Sequence, residues 1–342
     1  MGHALGAAYG ATLTLRLGIF GAAAIAPTAL IAPARALAGQ VSVTAVAARS
    51  AERARAFAAK HGVARAYDGY DALIADPEID ALYNPLPNGL HGVWTIKALE
   101  AGKHVLCEKP IAANADEAQA MVDAAKANGR VLMEAFHYRY HPLARRMADI
   151  VASGELGTIG EIRTAMCFPL PVFSNIRYNF ALAGGATMDA GCYAIHMARL
   201  LGGGEPEVLS ANAKLRDANI DRAMDVTLRF PSGAIGRVVV SMWSMKLLDI
   251  SARVTGSDGE MRVFNPVMPQ AYHRLTVRTG KGKRTENLGR RPSYLYQLEA
   301  FAAACAGGPA PITSGDDGVA NMKVIDAAYR AAGLPVRQPT RS

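Results

Sequence analysis

Four short stretches in the first third of the chain carry residue types that could hold a phosphate-bearing cofactor and act beside it. The run Gly18-Ile19-Phe20-Gly21-Ala22-Ala23-Ala24-Ile25-Ala26 places small residues at Gly21, Ala23 and Ala26. Small residues at such a turn let the backbone approach a pyrophosphate, and the free N–H groups of the helix that follows, around Ala24 and Ile25, face its charge. Alanine at the second small place departs from the strict G-x-G-x-x-G pattern, and an Ala/Gly-rich turn without a ligand would look the same. The second stretch is Ala47-Ala48-Arg49-Ser50. An acidic residue there would accept from the ribose 2′-hydroxyl of NAD, whereas Arg49 and Ser50 suit a 2′-phosphate, so NADP is expected and NAD remains open. A solvated arginine at a strand end is the plainer alternative. Third and fourth come Tyr83-Asn84-Pro85-Leu86-Pro87-Asn88-Gly89-Leu90-His91 and His104-Val105-Leu106-Cys107-Glu108-Lys109-Pro110. Both sit at C-terminal strand ends, where an open α/β sheet takes its ligands. An isolated Glu-Lys-Pro could be no more than an exposed turn.

These stretches need a scaffold that brings strand ends together. From about Leu15 to Phe136, short apolar runs alternate with Ala-rich helical segments, as parallel β-α-β units require. The candidate strands are 15–20, 41–47, 81–83, 104–107 and 131–135. Helices are expected over 51–61, 70–75, 89–101 and 115–128, with Gly62, Gly102 and Gly129 as closing residues. The spacing predicts an α/β fold, an N-terminal Rossmann doubly wound parallel sheet over 15–142. From 143 to 342 an α+β substrate-binding and oligomerisation domain is expected, with a large, mostly antiparallel open sheet. Its helix runs to about 153, and its β-rich runs are 159–168, 208–214, 224–230, 234–242, 250–255 and 260–264. Pro231-Ser232-Gly233 and Ser257-Asp258-Gly259 are turns. The last helices, within 294–332, are expected to pack back on the body, and Trp94 to pack in the core.

The order of a glycine turn, a strand-end arginine, P-L-P-N-x-L-H and C-E-K-P resembles the glucose–fructose oxidoreductase/inositol dehydrogenase/MocA (Gfo/Idh/MocA) family of NAD(P)-dependent enzymes. The resemblance continues through Glu134-Ala135-Phe136-His137-Tyr138-Arg139-Tyr140-His141-Pro142 and Gly184-Gly185-Ala186-Thr187-Met188-Asp189-Ala190-Gly191-Cys192-Tyr193-Ala194-Ile195-His196, nearly the whole chain from Leu15. It implies that Lys109 is the catalytic lysine beside the nicotinamide. It further implies that Asp189, Gly191 and Tyr193 fill the family's D-x-G-x-[H/Y] motif, Tyr193 being the proton carrier. Tyrosine there resembles the dihydrodiol dehydrogenase, D-xylose dehydrogenase and glucose–fructose oxidoreductase branches more than the inositol dehydrogenases. Pro85, Leu86, Asn88, His91 and Glu108 match the cofactor-lining stretches, and Arg139, Arg177 and Tyr178 match positions near the substrate mouth; packing or surface would explain each as readily. His196, three residues past Tyr193 on one helical face, is a rival proton carrier, a substrate contact or a structural histidine.

The chemistry agrees with this transfer. Oxidising an alcohol needs a base for the O–H proton while the C–H hydride leaves to C4 of the nicotinamide. A free tyrosine, with a pKa of about 10, is a poor base near neutrality. The Lys109 ammonium would stabilise the phenolate and lower that pKa, and in reduction the same phenol would return the proton. Asp189 would orient either the substrate hydroxyl or the lysine. The expected reaction is NADP-linked dehydrogenation or reduction of a sugar or cyclic diol. Alternatives are a ketoreductase of a nucleotide-linked keto-sugar, for which the basic stretch 274–291 speaks unless it is a solvated hairpin, and a non-catalytic sensor or scaffold.

The 342 residues are 51% hydrophobic and 19% charged, too apolar for disorder and long enough for two domains. Net charge is +8, but the Lys and Arg residues are scattered, so nucleic acid is not expected as a partner. The four cysteines, Cys107, Cys167, Cys192 and Cys305, lack zinc-ligand spacing and are expected to be reduced thiols, with no metal. The apolar stretch 15–37 is broken by Arg16, Pro27, Pro33 and Arg35, unlike a membrane span of about 20 residues. Residues 1–14, without a basic n-region, read as a disordered leader, and a cytoplasmic protein is expected. A homodimer or homotetramer through the C-terminal sheet is implied by resemblance, and one face of that sheet would serve as the interface if it is left open and apolar.

Overall fold

The computed structural model describes residues 14–340 apart from 244, 246 and 247, so the expected leader lies outside the described residues but for Thr14. Strand β1 (Leu15–Phe20) leads through the glycine turn into a wide turn, Pro27–Ile31, and helix α1 (Ala32–Ala36). There follow β2 (Val41–Ala48), α2 (Ala51–His61), β3 (Arg65–Asp68), α3 (Tyr70–Ala75), β4 (Ala81–Asn84), α4 (His91–Glu100), β5 (His104–Cys107), α5 (Ala115–Ala127) and β6 (Leu132–Glu134). The six strands are all parallel in the order β3-β2-β1-β4-β5-β6. That order reverses between β1 and β4, and a doubly wound sheet opens a ligand crevice at such a switch point. Gly62, Gly102 and Gly129 take positive φ just past their helices, as expected. Strand β3 was not foreseen: Arg-Ala-Tyr-Asp alternates charge with modest apolarity and has no hydrophobic run.

The chain then forms α6 (Pro142–Ala152), β7 (Ile159–Cys167), the wide turn Thr187–Gly191 and α7 (Cys192–Gly202). Next come β8 (Glu207–Asp217), β9 (Ile220–Arg229), β10 (Ile235–Ser241), β11 (Asp249–Gly256), β12 (Gly259–Phe264), β13 (Arg274–Thr279) and β14 (Gly282–Glu286). This eight-stranded sheet runs β14-β13-β12-β11-β7-β10-β9-β8 and is antiparallel except where β10 pairs β7. Strands β13 and β14 are the hairpin of the basic stretch. Helix α8 (Ser293–Cys305) returns to α1 and the turn after β6, and α9 (Gly315–Ala331) lies on α5, α7 and β8. Trp94 packs edge-on to Tyr70 with ring centres 4.7 Å apart.

One face of the large sheet buries Ile162, Val238, Val254, Met261 and Val277. The opposite face is largely charged. The period-two alternation places Arg163, Arg237, Arg253, Arg262 and Arg278 there, and Glu260 pairs with both Arg253 and Arg262. Among the described residues no helix is long and apolar enough to cross a membrane.

Candidate active site

The expected phosphate cradle is made of backbone. Gly21 sits at φ 82°, and its N–H donates to the Ala47 carbonyl at 2.7 Å, which ties the turn to the end of β2. A Cβ on Gly21 would stand 3.0 Å from Leu86. Beyond it, the N–H groups of Ala22, Ala23, Ala24 and Ile25 make no hydrogen bond among the described residues, and Ala24 and Ile25 are exposed. Four unsatisfied donors at the start of a helical segment fit an anionic pyrophosphate. Arg49 is exposed at the end of β2, while Ser50 caps α2 by accepting from Arg53 N at 3.4 Å. Burial raises the Tyr70 phenol, and the nearby charges of Arg49 and Arg53 oppose that rise. Both guanidinium groups therefore lie near the Tyr70 side of the cradle. Arg53 was missed in the sequence, although its place one helical turn after Arg49 was the available signal.

The loop after β4 is fixed from within. Asn84 donates to the His91 carbonyl at 3.1 Å and to Thr95 Oγ1 at 3.0 Å, and accepts from Leu86 N. His91 is buried, with Nδ1 2.8 Å from the Pro110 carbonyl and Nε2 2.7 Å from that of Leu86. Its two ring nitrogens face carbonyls of this loop and of the one that follows β5, and the neutral ring donates to one of them, so neither nitrogen is turned toward a ligand. Burial pushes its pKa down to about 4. Asn88 likewise reaches across the cleft, donating to the Ala183 carbonyl at 3.1 Å, whereas Pro85 and Leu86 remain beside the cradle.

Lys109, Asp189 and Tyr193 converge from β5 and from the turn leading into α7. The Lys109 ammonium donates to the Asp189 carbonyl at 3.0 Å, lies 3.8 Å from its Oδ1, and stands 5.0 Å from the centre of the Tyr193 ring. Arg177 Nε meets Asp189 Oδ2 at 2.6 Å. The carboxylate thus bridges Lys109 and Arg177. Glu108 accepts from the Tyr83 hydroxyl at 2.6 Å, and burial raises its pKa against the pull of Lys109. Glu134, at the end of β6, accepts from Ile111 N at 2.9 Å and so holds the loop that carries Lys109. Burial disfavours the Lys109 ammonium, but Asp189 together with Cys192 and Glu108 outweighs it and the pKa is raised, so the lysine is charged at neutral pH.

The Tyr193 phenol departs from expectation. Burial, then the neighbouring Glu108, push its pKa well above the ordinary value instead of lowering it. Lys109 faces the ring rather than the hydroxyl, and Asp189 offsets its charge. The hydroxyl makes no hydrogen bond among the described residues, and neither does that of Tyr294 on α8, a member of the cluster that the sequence did not single out. Phe136 packs edge-on to Tyr193 at 5.2 Å, with Tyr138 at 6.0 Å and His137 at 6.1 Å, so the Glu134–Tyr140 motif supplies the aromatic wall behind the phenol.

Three residues expected near the substrate make no hydrogen bond to Lys109, Asp189 or Tyr193. His196 is 2% exposed; Asp317 Oδ2 takes its Nε2–H at 2.8 Å, which leaves Nδ1 to accept from the Tyr138 hydroxyl at 2.6 Å. With both nitrogens engaged behind the wall, it is structural. Tyr178 is buried and donates to the Leu170 carbonyl at 2.9 Å, holding the loop that delivers Arg177. Arg139 makes no bond to Lys109, Asp189 or Tyr193 and lies near Tyr138 and His196.

Residues 15–136 match the profile of an oxidoreductase family with an NAD-binding Rossmann fold, and residues 144–262 match the GFO/IDH/MocA C-terminal domain. D-xylose 1-dehydrogenase (NADP(+)) 2 of Haloferax volcanii is 40% identical over 93% of this chain and 97% of that protein. This chain belongs to the Gfo/Idh/MocA oxidoreductase family. A Gfo/Idh/MocA relative from Streptomyces violaceoruber, dTDP-3,4-didehydro-2,6-dideoxy-α-D-glucose 3-reductase, is 34% identical over 94% of this chain and 96% of its own. Among solved structures, a 3-ketoreductase from Actinomadura kijaniata with NADP and TDP-benzene superposes with a TM-score of 0.86 at 28% identity, covering 93% of this chain and 98% of that one. That enzyme has also been solved with one tyrosine or one lysine replaced. The two replaced residues stand as far apart along its chain as Lys109 and Tyr193 do here.

Proposed function

We propose that this Gfo/Idh/MocA protein is an NADP-dependent dehydrogenase or reductase of a sugar or cyclic diol, with an aldose oxidised at its carbinol carbon as the leading substrate. The observation that carries this reading is the meeting of Lys109, Asp189 and Tyr193 beside the strand ends whose first turn offers four free N–H groups. The 40% identity to an NADP-linked D-xylose dehydrogenase supports the substrate class. Exposed Arg49 and nearby Arg53 supply the charge that a 2′-phosphate needs. Bound NADP would supply or accept the hydride at C4.

The protein's own part is proton handling. In reduction, the Tyr193 O–H proton passes to the carbonyl oxygen as the carbon gains its hydride, giving the alcohol and a Tyr193 phenolate, whose charge the Lys109 ammonium over the ring balances. Oxidation reverses the transfer, the phenolate taking the alcohol proton. Asp189 holds Lys109 and Arg177 in place.

A second reading, reduction of a nucleotide-linked keto-sugar, draws on one particular feature. A buried phenol whose pKa is raised rests in the protonated form, the form that reduction uses. Nicotinamide absorbance, followed with NADP and a panel of aldoses and cyclic diols, and with NADPH and a dTDP-linked keto-sugar, tests both. Aldose turnover supports the first reading, turnover of the nucleotide-linked keto-sugar alone supports the second, and NADP binding without turnover of any of them overturns both.

A further inference from the structure

The last described stretch of chain, Pro335 to Thr340, threads between the two sides of the cleft. On the cofactor side, Asn114 Nδ2 donates to the Arg337 carbonyl at 2.8 Å, and Thr340 N donates to the Gly89 carbonyl at 2.8 Å. On the substrate side, Thr340 Oγ1 donates to the Ala181 carbonyl at 2.6 Å and Arg337 Nε to the Gly184 carbonyl at 2.7 Å. Arg337 is 0% exposed. Its guanidinium lies 4.0 Å from the Tyr329 ring centre and 5.0 Å from that of Phe180, and Nη2 meets Asp221 Oδ1 at 2.9 Å. Asp221 also accepts from the Tyr329 hydroxyl and, through Oδ2, from both the N–H and the hydroxyl of Thr187 at 2.7 Å.

This pair reaches the reacting groups in two short steps. Thr187 opens the turn that carries Asp189 and runs into α7, where Tyr193 stands. The neighbouring Gly185 donates to the Arg177 carbonyl at 2.8 Å, and its own carbonyl accepts from Asp189 N at 3.0 Å. A Cβ on Gly185 would press into Asp221 Oδ1 and stand 2.7 Å from Arg337 Nη2, so the turn lies directly on the ion pair. A buried ion pair is a poor source of net stability, because desolvation offsets the attraction. With every group bonded, it fixes geometry instead.

We infer that residues 335–340 are a strap that sets the cofactor loop 85–91 against the segment 177–193, and that Arg337 is a positioning residue for Asp189 and Tyr193. The inference rests on the proposed roles of Lys109, Asp189 and Tyr193, and wild-type turnover is measured first to separate the two: if no substrate turns over, the functional reading fails on its own account. With an active wild type, Arg337→Lys keeps the charge but loses the fork that spans Gly184 and Asp221. It is expected to lower kcat about 30-fold, within the range that an ångström of misplacement costs, while the NADP Kd from fluorescence titration stays within about threefold. Millimolar guanidinium is expected to restore part of the kcat of Arg337→Ala. If Arg337→Lys does not melt cooperatively, a chain ending at Gln338 decides, because it leaves Arg337 buried and removes only the Thr340 bridges; its kcat is expected to fall about threefold at unchanged NADP Kd. Wild-type kcat in the folded variant, or equal losses in kcat and NADP affinity without guanidinium rescue, overturns the inference.

Discussion

The cradle and the proposed reacting cluster solve opposite problems with opposite materials. The cradle is contiguous, from Gly21 to Ile25, and works through backbone N–H groups whose position depends on one positive φ and one close contact with Leu86. The cluster joins Lys109 after β5, Asp189 and Tyr193 from the turn into α7, and Tyr294 on α8, and is built of buried side chains against an aromatic wall. A backbone site tolerates many side chains but few conformations; a side-chain site tolerates backbone change only while several distant elements stay in register. Substitution in the two regions should therefore produce separable defects, one in binding and one in turnover.

The strongest way to break this comparison is at the cluster. Lys109→Met and Tyr193→Phe are each expected to lower kcat by about a thousandfold, the scale of a lost acid/base group, with the NADP Kd within about threefold of wild type. Stopped-flow single turnovers and a fluorescence titration measure the two quantities separately. A loss of NADP affinity as large as the loss of turnover would merge the two regions into one.

The pH dependence comes next and tests the state of the phenol. With the Tyr193 pKa well above its ordinary value, reduction needs the protonated form and should be level between pH 6 and 9. Oxidation needs the phenolate, so its rate should climb roughly tenfold per pH unit over the same span, about a hundredfold from pH 7 to 9. An oxidation profile already level at pH 7 would mean that Lys109 turns from Asp189 toward the hydroxyl when substrate binds, and that the lowering expected from the sequence operates in the complex.

The cradle should fail differently. Gly21→Ala forces a side chain onto a φ of 82° and against Leu86, and strain of ~1–3 kcal/mol predicts an NADP Kd raised about tenfold to a hundredfold, with kcat at saturating cofactor little changed. Arg49→Glu should cost about tenfold in the preference for NADP over NAD, read as the ratio of the two dissociation constants. A loss shared equally by NAD would place Arg49 outside the 2′-phosphate site and leave that role to Arg53.

The same division explains what could be read from the sequence. Strands and helices of the first sheet follow local periodicity and glycine caps, so 104–107, 51–61 and 70–75 coincide with β5, α2 and α3. Strand β3 lacks a hydrophobic run because only one of its faces is covered. The motif residues Lys109, Asp189 and Tyr193 were legible by resemblance, but their electrostatics were not: the direction of the Tyr193 shift depends on burial among side chains that include Tyr294, about a hundred positions away, and no spacing rule reaches that far. His91 and His196 look like ligands in a string of letters because histidine next to a motif is chemically suggestive; only the carbonyls and carboxylate around them reveal structural ties. The charged outer face of the large sheet was legible in principle, since Arg163, Arg237, Arg253, Arg262 and Arg278 alternate with buried residues along their strands.

The smallest effect sharpens the boundary of the cluster at Tyr294. Its ring lies tilted against that of His137 with centres 4.0 Å apart, and its phenol, raised by burial and by Glu108, stays protonated and uncharged near neutral pH. An uncharged phenol exerts no charge repulsion on Tyr193, so removing that hydroxyl while keeping the ring, in Tyr294→Phe, should leave the ionisation of Tyr193 little changed. Oxidation at pH 8 and reduction at pH 7 are then each expected to change by less than about twofold. A rise in oxidation alone would mean that the Tyr294 hydroxyl disfavours the Tyr193 phenolate, and a fall in oxidation alone that it donates to that phenolate when substrate is bound. The ratio of the two rates therefore decides whether α8 takes part in proton transfer or only closes the wall behind it.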